Sequence, residues 1–272
     1  MPDTHLELND GRPIPRLGLG VWRASEDEAA AAVAHAIGAA GYRHVDTAAV
    51  YGNEAGVGRG LADSGVARDE VFLTTKVWND EIRAGRTREA LEASLDRLGT
   101  GRVELVLLHW PVDGRVEAWR ALVEAREAGL ARSIGVSNFL PGHLDEIVGA
   151  TGVVPALNQI EHHPRLTQAP IREACARHGV AVEAWSPLMQ GRFAEAPEVG
   201  EVAAAVGRTE AQVVLRWALQ REVIVIPKSV TPARIEENAR VFDFELDAAA
   251  MARLDGLEDG GRLGADPASF SF

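Results

Sequence analysis

The feature that most constrains the fold of this chain is a regular alternation of short apolar runs with longer amphipathic segments. The apolar runs are candidate strands, and they span residues 17–20, 44–46, 71–76, 105–109, 133–136, 156–159, 182–185 and 223–226. Helix-like segments, many with apolar residues three and four positions apart, begin near residues 27, 54, 87, 116, 142, 168, 209 and 233. Strands that alternate with helices pair in parallel, and eight such units predict an α/β fold of the (β/α)8 TIM-barrel type.

Two further signals describe the ends of the chain. The Asp10-Gly11 pair lies between two short extended segments and predicts a β-hairpin, here an N-terminal cap. After Glu245 the pattern predicts a helix and then an irregular tail. The 272 residues match the roughly 250 of one barrel and no linker divides them, so residues 1–272 are predicted to form a single domain.

Charge and cysteine content exclude several classes of protein. A formal net charge of −12 disfavours general binding to nucleic acids or anionic membranes, which requires clustered Lys and Arg. The lone Cys175 cannot form an internal disulfide, and the first residues lack the pattern of a signal peptide. No apolar run approaches the roughly 20 residues of a membrane span. We therefore expect a cytoplasmic protein with neither a nucleic-acid nor a membrane partner.

Functional groups of a (β/α)8 barrel lie at the carboxyl ends of its strands, so polar residues that follow apolar runs are candidates. Asp46 and Tyr51 share one strand-to-helix loop and Lys76 ends the neighbouring strand, so these three side chains are expected to meet. A nearby ammonium group favours the phenolate, so Lys76 is expected to lower the pKa of Tyr51 and make it a proton donor near neutral pH. Further strand ends carry His109, Ser137, Asn138, Asn158, Gln159, Trp185, Ser186, Lys228 and Ser229.

Each of these residues alone is compatible with a structural role. A Lys-Asp pair is commonly an ordinary ion pair, and a histidine at a strand end is more often a satisfied structural residue than a catalytic one. His109 could instead orient a carbonyl group or relay a proton at the barrel mouth. The combination of these residues, in strand order, favours a catalytic site.

Five separated blocks of this sequence resemble the aldo-keto reductase superfamily, particularly the short prokaryotic branch that includes 2,5-diketo-gluconic acid reductases. The blocks are GYRHVDTAAVYGNE at 41–54, LLHWP at 107–111, GVSNF at 135–139, NQIEHHP at 158–164, and IPKS at 226–229 with Arg234, Glu237 and Asn238. The resemblance covers nearly the whole chain. It implies an oxidoreductase, monomeric by family tendency, that reduces aldehydes and ketones to alcohols with NADPH. It also implies a catalytic tetrad of Asp46, Tyr51, Lys76 and His109, with Tyr51 as the general acid.

The resemblance further implies how NADPH is held. Ser137, Asn138 and Gln159 are expected to hydrogen-bond the nicotinamide carboxamide, and Trp185 to stack on its ring. The adenosine 2'-phosphate is expected at Lys228, Ser229 and Arg234, and the adenine at Glu237 and Asn238. The other implied contacts are Gly20, Val21, Trp22, Asp46, Ser186, Pro187, Leu188, Ile226, Val230 and Thr231.

Thr231 stands where relatives in this branch carry a further basic residue, which leaves the strength of the preference for NADPH over NADH open. The chain has no Gly-x-Gly-x-x-Gly motif after an early strand, as expected for a dinucleotide bound on a barrel and not on a doubly wound sheet.

Three indoles follow strands near the predicted site. Trp22, Trp78 and Trp110 are expected to contact the substrate together with Tyr51 and His109, although large core side chains are the alternative interpretation. Short loops predict an open pocket with broad substrate selection. Gln190, Arg192 and the terminal segment Phe270-Ser271-Phe272 could fold inward and narrow it.

Two other functions compete with a reductase. A divalent-metal hydrolase could use His44, Asp46, His109 and His163, but such barrels usually carry two histidines on the first strand, and residues 17–22 contain none. We therefore expect no metal. A cofactor-sensing subunit with little turnover is the second alternative, against which the intact tetrad argues.

Overall fold

A computed structural model describes residues 4–270 and 272 of the chain. Its strands are β1 (His5–Glu7), β2 (Pro13–Pro15), β3 (Leu19–Gly20), β4 (His44–Asp46), β5 (Phe72–Val77), β6 (Val103–Leu108), β7 (Ala131–Ser137), β8 (Leu157–Glu161), β9 (Ala181–Trp185) and β10 (Ile224–Val225). Its α-helices are α1 (Glu26–Gly38), α2 (Glu54–Asp63), α3 (Asn79–Arg83), α4 (Thr87–Leu98), α5 (Arg115–Glu127), α6 (Pro141–Thr151), α7 (Ala169–His178), α8 (Pro197–Val206), α9 (Glu210–Gln220), α10 (Pro232–Ala239) and α11 (Ala248–Asp255).

Strands β3 to β10 form one parallel sheet in which neighbours follow chain order. Parallel bridges join Leu17 to Val225 and Gly20 to Lys228, so the first and last strands of the sheet also meet. This closure confirms the predicted (β/α)8 barrel. Because all eight strands run in one direction, their carboxyl ends open on the same face.

The predicted N-terminal hairpin is also confirmed. Strands β1 and β2 pair antiparallel, with Leu6 opposite Ile14. Leu8 and Ile14 pack in one apolar cluster with Leu105 and Leu157 of the barrel strands. The hairpin therefore closes the barrel at the end opposite to the carboxyl ends of the strands.

The helix pattern of the sequence locates the outer layer closely. All eight predicted helices are present, and each begins within one residue of its predicted start, as in α2 at Glu54 and α4 at Thr87. Helix α3, a single turn after β5, has no counterpart among the predictions, because five residues are too short to show a helical period. Helix α11 is the helix predicted beyond Glu245.

The barrel strands are buried on both faces, because one face lines the interior and the other meets the helices. Every residue of β5 and β6 is buried. Polar side chains that point into this interior are costly to bury unless they are hydrogen-bonded or neutral. Lys76, Gln159 and Glu183 are such side chains, and all three are buried.

None of the helices in the described residues is both long enough and apolar enough to span a bilayer.

Candidate active site

The loop between β4 and α2 carries Tyr51 at the carboxyl end of the barrel. A short 3-10 turn, Ala49–Tyr51, is followed by Gly52 at φ 68°, a left-handed conformation that glycine adopts without strain. Asn53 fixes the loop, since it accepts from Thr47 Oγ1 at 3.0 Å and donates to the main-chain oxygen of Val21 at 2.9 Å. The position of Tyr51 therefore depends on a buried asparagine that the sequence patterns did not single out.

Lys76 lies at the centre of the predicted tetrad. Its Nζ donates to Asp46 Oδ1 at 2.5 Å, to the main-chain oxygen of Thr47 at 2.9 Å and to Tyr51 Oη at 3.3 Å. These three acceptors match the three ammonium hydrogens, so the Tyr51 hydroxyl keeps its own hydrogen for another partner. His109 packs edge-on against Tyr51, with ring centroids 5.8 Å apart. The structure thus brings all four predicted residues together.

The charges of this cluster follow from its burial. Burial alone would lower the pKa of Lys76, but the carboxylate of Asp46 and the hydroxyl of Tyr51 raise it, so the ammonium form is kept. Burial raises the pKa of Asp46, and Lys76 and Gln159 oppose that change by favouring the carboxylate. Burial also raises the pKa of Tyr51 above its ordinary value, and Lys76 reverses only part of the shift. The expected lowering of the Tyr51 pKa was therefore wrong in direction, because desolvation outweighs the ammonium.

His109 is a neutral imidazole. Burial, assisted by the charge of Lys76, holds its pKa well below the usual range. Its Nδ1 is buried without a hydrogen-bond partner among the described residues. An N–H without an acceptor would be costly there, so the ring proton belongs on Nε2, the nitrogen that His109 can present to the cleft.

A hydrogen-bonded group fixes Trp185 at the end of β9. Asn138, which adopts φ 64°, accepts from Trp185 Nε1 at 2.9 Å and donates to the main-chain oxygen of His109 at 3.1 Å. Ser137 Oγ donates to the main-chain oxygen of Gln159 at 2.9 Å. The amide of Asn138 is thus committed to orienting the indole, a role the sequence had not indicated.

Two cations lie at the other end of the site. Lys228 and Arg234 form no side-chain hydrogen bond or ion pair with any residue that the structure describes. Ser229 Oγ accepts from the main-chain N–H of Thr231 at 3.1 Å and shapes the turn before α10. In a chain of net charge −12, unpaired cations beside a helix N-terminus provide a local anion-binding surface.

One cleft of about 1240 Å³ joins these groups. The predicted site residues that line it are Gly20, Trp22, Asp46, Tyr51, Trp78, His109, Trp110, Ser137, Asn138, Gln159, Trp185, Ser186, Pro187, Leu188, Ile226, Lys228, Ser229, Val230, Thr231, Arg234, Glu237 and Asn238. The strand-end candidate Asn158 is buried instead and donates to the main-chain oxygen of Phe139 at 2.9 Å. Among the predicted catalytic, cofactor and substrate residues, two do not line the cleft. Lys76 lies beneath Asp46 and Tyr51, and Val21 is buried behind the Tyr51 loop.

The cleft also has walls that the sequence analysis missed. They are Arg23, Val50, Gly191, Phe193, residues 209–211, Pro227 and residues 263–265. Thr209 and its neighbours could have been found, because helix N-termini lie on the same barrel face as strand carboxyl ends. Leu263, Gly264 and Ala265 belong to the irregular tail, which carries no local signal for its position.

The tail packs against the end of the cleft that Trp78 and Trp110 form. Glu161 accepts main-chain N–H groups of Leu263 at 2.6 Å and Gly264 at 3.1 Å, which holds the tail against β8. Phe272 stacks on Trp78 at a centroid distance of 5.9 Å, and Phe270 lies 4.7 Å from Trp110. The inward fold considered for residues 270–272 is observed for Phe270 and Phe272, and Ser271 lies outside the described residues. Gln190, also considered, lines the cleft, whereas Arg192 does not.

The histidines considered for a metal site have separate partners. His44 contacts Thr74 and Glu183 inside the barrel, whereas His163 contacts Glu161. Within residues 4–270 and 272, no group of three or more His, Cys, Asp or Glu side chains is arranged to hold a metal ion.

Comparisons with known proteins give one consistent result. The model of the "Aldo/keto reductase family" matches residues 16–259. An aldo-keto reductase of Mycobacterium sp. (strain KMS) is 53% identical over 268 residues, which cover 97% of each chain. Methylglyoxal reductase DkgA of Escherichia coli (strain K12) is 46% identical, with 98% of each chain covered. The crystal structure of a Gox0644 mutant in complex with NADPH superimposes with a TM-score of 0.93 at 46% identity, covering 99% of each chain.

Proposed function

The chain belongs to the aldo/keto reductase family, and from that premise we propose that it reduces aldehydes and ketones to alcohols with NADPH, using Tyr51 as the proton donor. The observation that carries the proposal is the contact of Lys76 Nζ with both Asp46 and Tyr51 at the floor of the cleft. It leaves the hydroxyl hydrogen of Tyr51 available to a substrate oxygen.

The chemistry of the cleft fits NADPH. Lys228 and Arg234 form no side-chain hydrogen bond or ion pair among the described residues, although the charge of Lys228 acts on Glu28, and a phosphate monoester could accept from both cations. Trp185 offers an indole whose plane is fixed by Asn138, which suits a nicotinamide ring. Gln159 Oε1 accepts no hydrogen bond within the described chain and could accept one from a carboxamide. The 2'-phosphate, the nicotinamide ring and its carboxamide therefore each have a matching group in this chain.

The tetrad supports reduction through proton transfer. Bound NADPH supplies the hydride that reduces the carbonyl carbon. As negative charge develops on the carbonyl oxygen, Tyr51 Oη donates its proton to that oxygen, and the Lys76 ammonium at 3.3 Å stabilises the tyrosinate that remains. Asp46 keeps Lys76 charged. The raised pKa of Tyr51 keeps the proton in place until the substrate oxygen becomes basic.

His109 positions the carbonyl group in this proposal. A neutral imidazole with its proton on Nε2 can donate a hydrogen bond to the carbonyl oxygen without placing a second cation beside Lys76. Trp78 packs edge-on against His109 at a centroid distance of 5.1 Å, and this contact restricts rotation of the imidazole ring.

The walls of the cleft favour small substrates. Trp78, Trp110 and Phe272 surround the carbonyl position with apolar rings. Because a relative is named methylglyoxal reductase, methylglyoxal is the first substrate to test.

We also propose that the chain acts as a cytoplasmic monomer. The large apolar side chains that are exposed in the described residues are Trp22, Val50 and Phe272, and all three line the cleft. No other exposed cluster of large apolar residues is present in that part of the chain to form a subunit interface. Light scattering coupled to gel filtration tests the oligomeric state.

Turnover separates a reductase from a cofactor-sensing subunit. The purified chain is incubated with NADPH and methylglyoxal, a simple aldehyde or a simple ketone, and nicotinamide absorbance is followed. Loss of absorbance that depends on the carbonyl compound supports the proposal. Binding of NADPH with no turnover of any compound favours the sensing subunit, and no binding of NADPH overturns the cofactor assignment.

A further inference from the structure

A second carboxyl group lies beneath the tetrad, and the steps described above do not use it. Glu183 is on β9, two residues before Trp185, and its side chain is fully buried. It contacts Gln159 on β8 and faces His44 on β4, so it crosses the interior of the barrel. A buried carboxyl group is costly unless it is neutral or paired, so its contacts indicate its state.

The contacts of Gln159 define one side of Glu183. Gln159 Nε2 donates to Glu183 Oε1 at 2.5 Å and to Asp46 Oδ2 at 2.8 Å. One amide nitrogen has two hydrogens, and these two carboxyl groups take both. A reversed amide would place its oxygen against the Asp46 carboxylate. The side-chain oxygen of Gln159 is therefore the atom that faces the cleft. There it can accept a hydrogen bond from the N–H of the nicotinamide carboxamide.

The contacts of His44 define the other side. His44 Nδ1 lies 3.3 Å from the main-chain oxygen of Pro15, which can only accept, so Nδ1 carries the ring proton. Burial, with help from the charge of Lys76, lowers the pKa of His44 to about 3, so the ring is neutral and Nε2 has a lone pair. This Nε2 has Thr74 Oγ1 at 3.3 Å, a hydroxyl that can donate to it. Glu183 Oε2 lies 3.6 Å from the same Nε2 and has no hydrogen-bond partner among the described residues. A buried carboxylate oxygen without any donor is costly, so a proton belongs on Oε2.

The charges around Glu183 agree with a neutral acid. The titratable groups that act on it are Asp46 and Lys76, with His44 neutral and Tyr51 a phenol above them. Lys76 is already paired with Asp46 at 2.5 Å, so an ionised Glu183 would have no cation of its own. Burial, together with the Asp46 charge, raises the pKa of Glu183 to about 8, against the opposing effects of Gln159 and Lys76.

We infer that Glu183 is a neutral acid that positions the Gln159 side chain, an inference that rests on the proposed function. It holds the Gln159 amide so that its oxygen faces the cofactor site, and it leaves Asp46 as the single ionised carboxyl group opposite Lys76. Loss of its proton would place a second negative charge in the cluster. That charge would raise the pKa of Tyr51 further and make it a weaker proton donor.

The test compares Glu183→Gln, which resembles the neutral acid, with Glu183→Ala, which removes the contact to Gln159. Glu104→Gln is the matched control, because Glu104 is another buried strand carboxyl, paired with Arg68 away from the tetrad. NADPH affinity, kcat and KM are measured for each protein between about pH 6 and pH 9, a range that brackets the titration of Glu183.

Glu183→Ala is expected to weaken NADPH binding by about tenfold, the equivalent of one lost hydrogen bond. Glu183→Gln is expected to restore binding and to remove the alkaline fall in kcat that wild type and Glu104→Gln share. If Glu183→Gln is as defective as Glu183→Ala at neutral pH, or if its pH profile matches wild type, the inference is overturned. Should Glu183→Ala not fold, the profiles of wild type and Glu183→Gln decide alone.

Failure of the proposed function gives a different result, since wild type itself would then neither bind NADPH nor reduce a carbonyl compound. The protonation of Glu183 can still be tested in that case, because the pH dependence of the unfolding free energy measures it in the folded chain without any cofactor.

Discussion

The indole N–H of Trp185 donates to Asn138 Oδ1 at 2.9 Å, and the same asparagine donates to the main-chain oxygen of His109. One side chain therefore links the proposed ring-stacking residue to the strand end that carries His109. The plane of the indole is set by this bond, because a ring free to rotate about its two side-chain torsions could not offer one fixed face.

Trp185→Phe is expected to weaken NADPH binding by about tenfold and to lower the unfolding free energy by about 1–3 kcal/mol, since Asn138 Oδ1 is buried and loses its donor. Fluorescence titration and chemical denaturation measure the two effects. Unchanged affinity would show that the indole does not contact the cofactor.

Gly264 in the tail lies against the same ring. A Cβ atom built there would come within 2.3 Å of Trp185 Cη2, so Gly264→Ala must displace the tail or the indole. The expected cost is about 1–3 kcal/mol of stability together with weaker NADPH binding. Gly142→Ala, where an added Cβ meets nothing within 4 Å, is the control; it is expected to bind NADPH like wild type and to be at least as stable, because alanine favours a helix more than glycine does. Equal behaviour of the two variants would contradict the packing of the tail on Trp185.

Tyr51→Phe removes the proposed proton donor and leaves the ring in place. We expect kcat to fall by about 10²- to 10⁴-fold with little change in NADPH affinity. Tyr42→Phe is the matched control, since this buried tyrosine donates to the main-chain oxygen of Ile235 at 3.1 Å. It is expected to lower stability slightly and to keep kcat at saturating NADPH. Retained activity in Tyr51→Phe would remove it as the general acid.

Lys228→Ala and Arg234→Ala each remove a cation from the proposed 2'-phosphate site. Each is expected to weaken NADPH binding by about 10- to 100-fold and NADH binding much less, because only NADPH carries that phosphate. Arg240→Ala, at the other end of α10 and outside the cleft, is the control. Equal losses for the two cofactors would rule out the phosphate assignment.

The pH dependence of stability reports the state of Glu183. Its folded pKa of about 8 exceeds its ordinary value of 4.5, so between these limits the folded chain holds a proton that the unfolded chain has lost. The unfolding free energy therefore falls as pH rises, by at most about 1.4 kcal/mol per pH unit. His44, with its pKa lowered to about 3 from 6.5, has the opposite effect below 6.5, so Glu183 is seen most clearly above that pH.

Glu183→Gln is expected to remove this alkaline loss of stability. Urea unfolding of both proteins at several pH values between about 6.5 and 8 measures the difference. Parallel curves for wild type and variant would mean that Glu183 is already ionised in the folded chain.

The sequence by itself determined the architecture and which four residues make up the proposed tetrad. Strand and helix periods are local properties, so the eight units and the positions of Asp46, Lys76 and His109 at strand ends could be read directly from the residue pattern. The motif around Tyr51 added the fourth member. Residues near one another in sequence, or at equivalent ends of parallel strands, are brought together by the barrel without further information.

Only the tertiary structure decided what depends on distant contacts. Gly264 and Phe272 reach the cleft through an irregular tail that has no sequence period. The protonation state inferred for Glu183 depends on its contacts with His44 and Gln159, which lie on other strands. The direction of the Tyr51 pKa shift was misjudged for the same reason. Lys76 was visible in the sequence, whereas the desolvation that outweighs it is the sum of many buried atoms from the whole barrel.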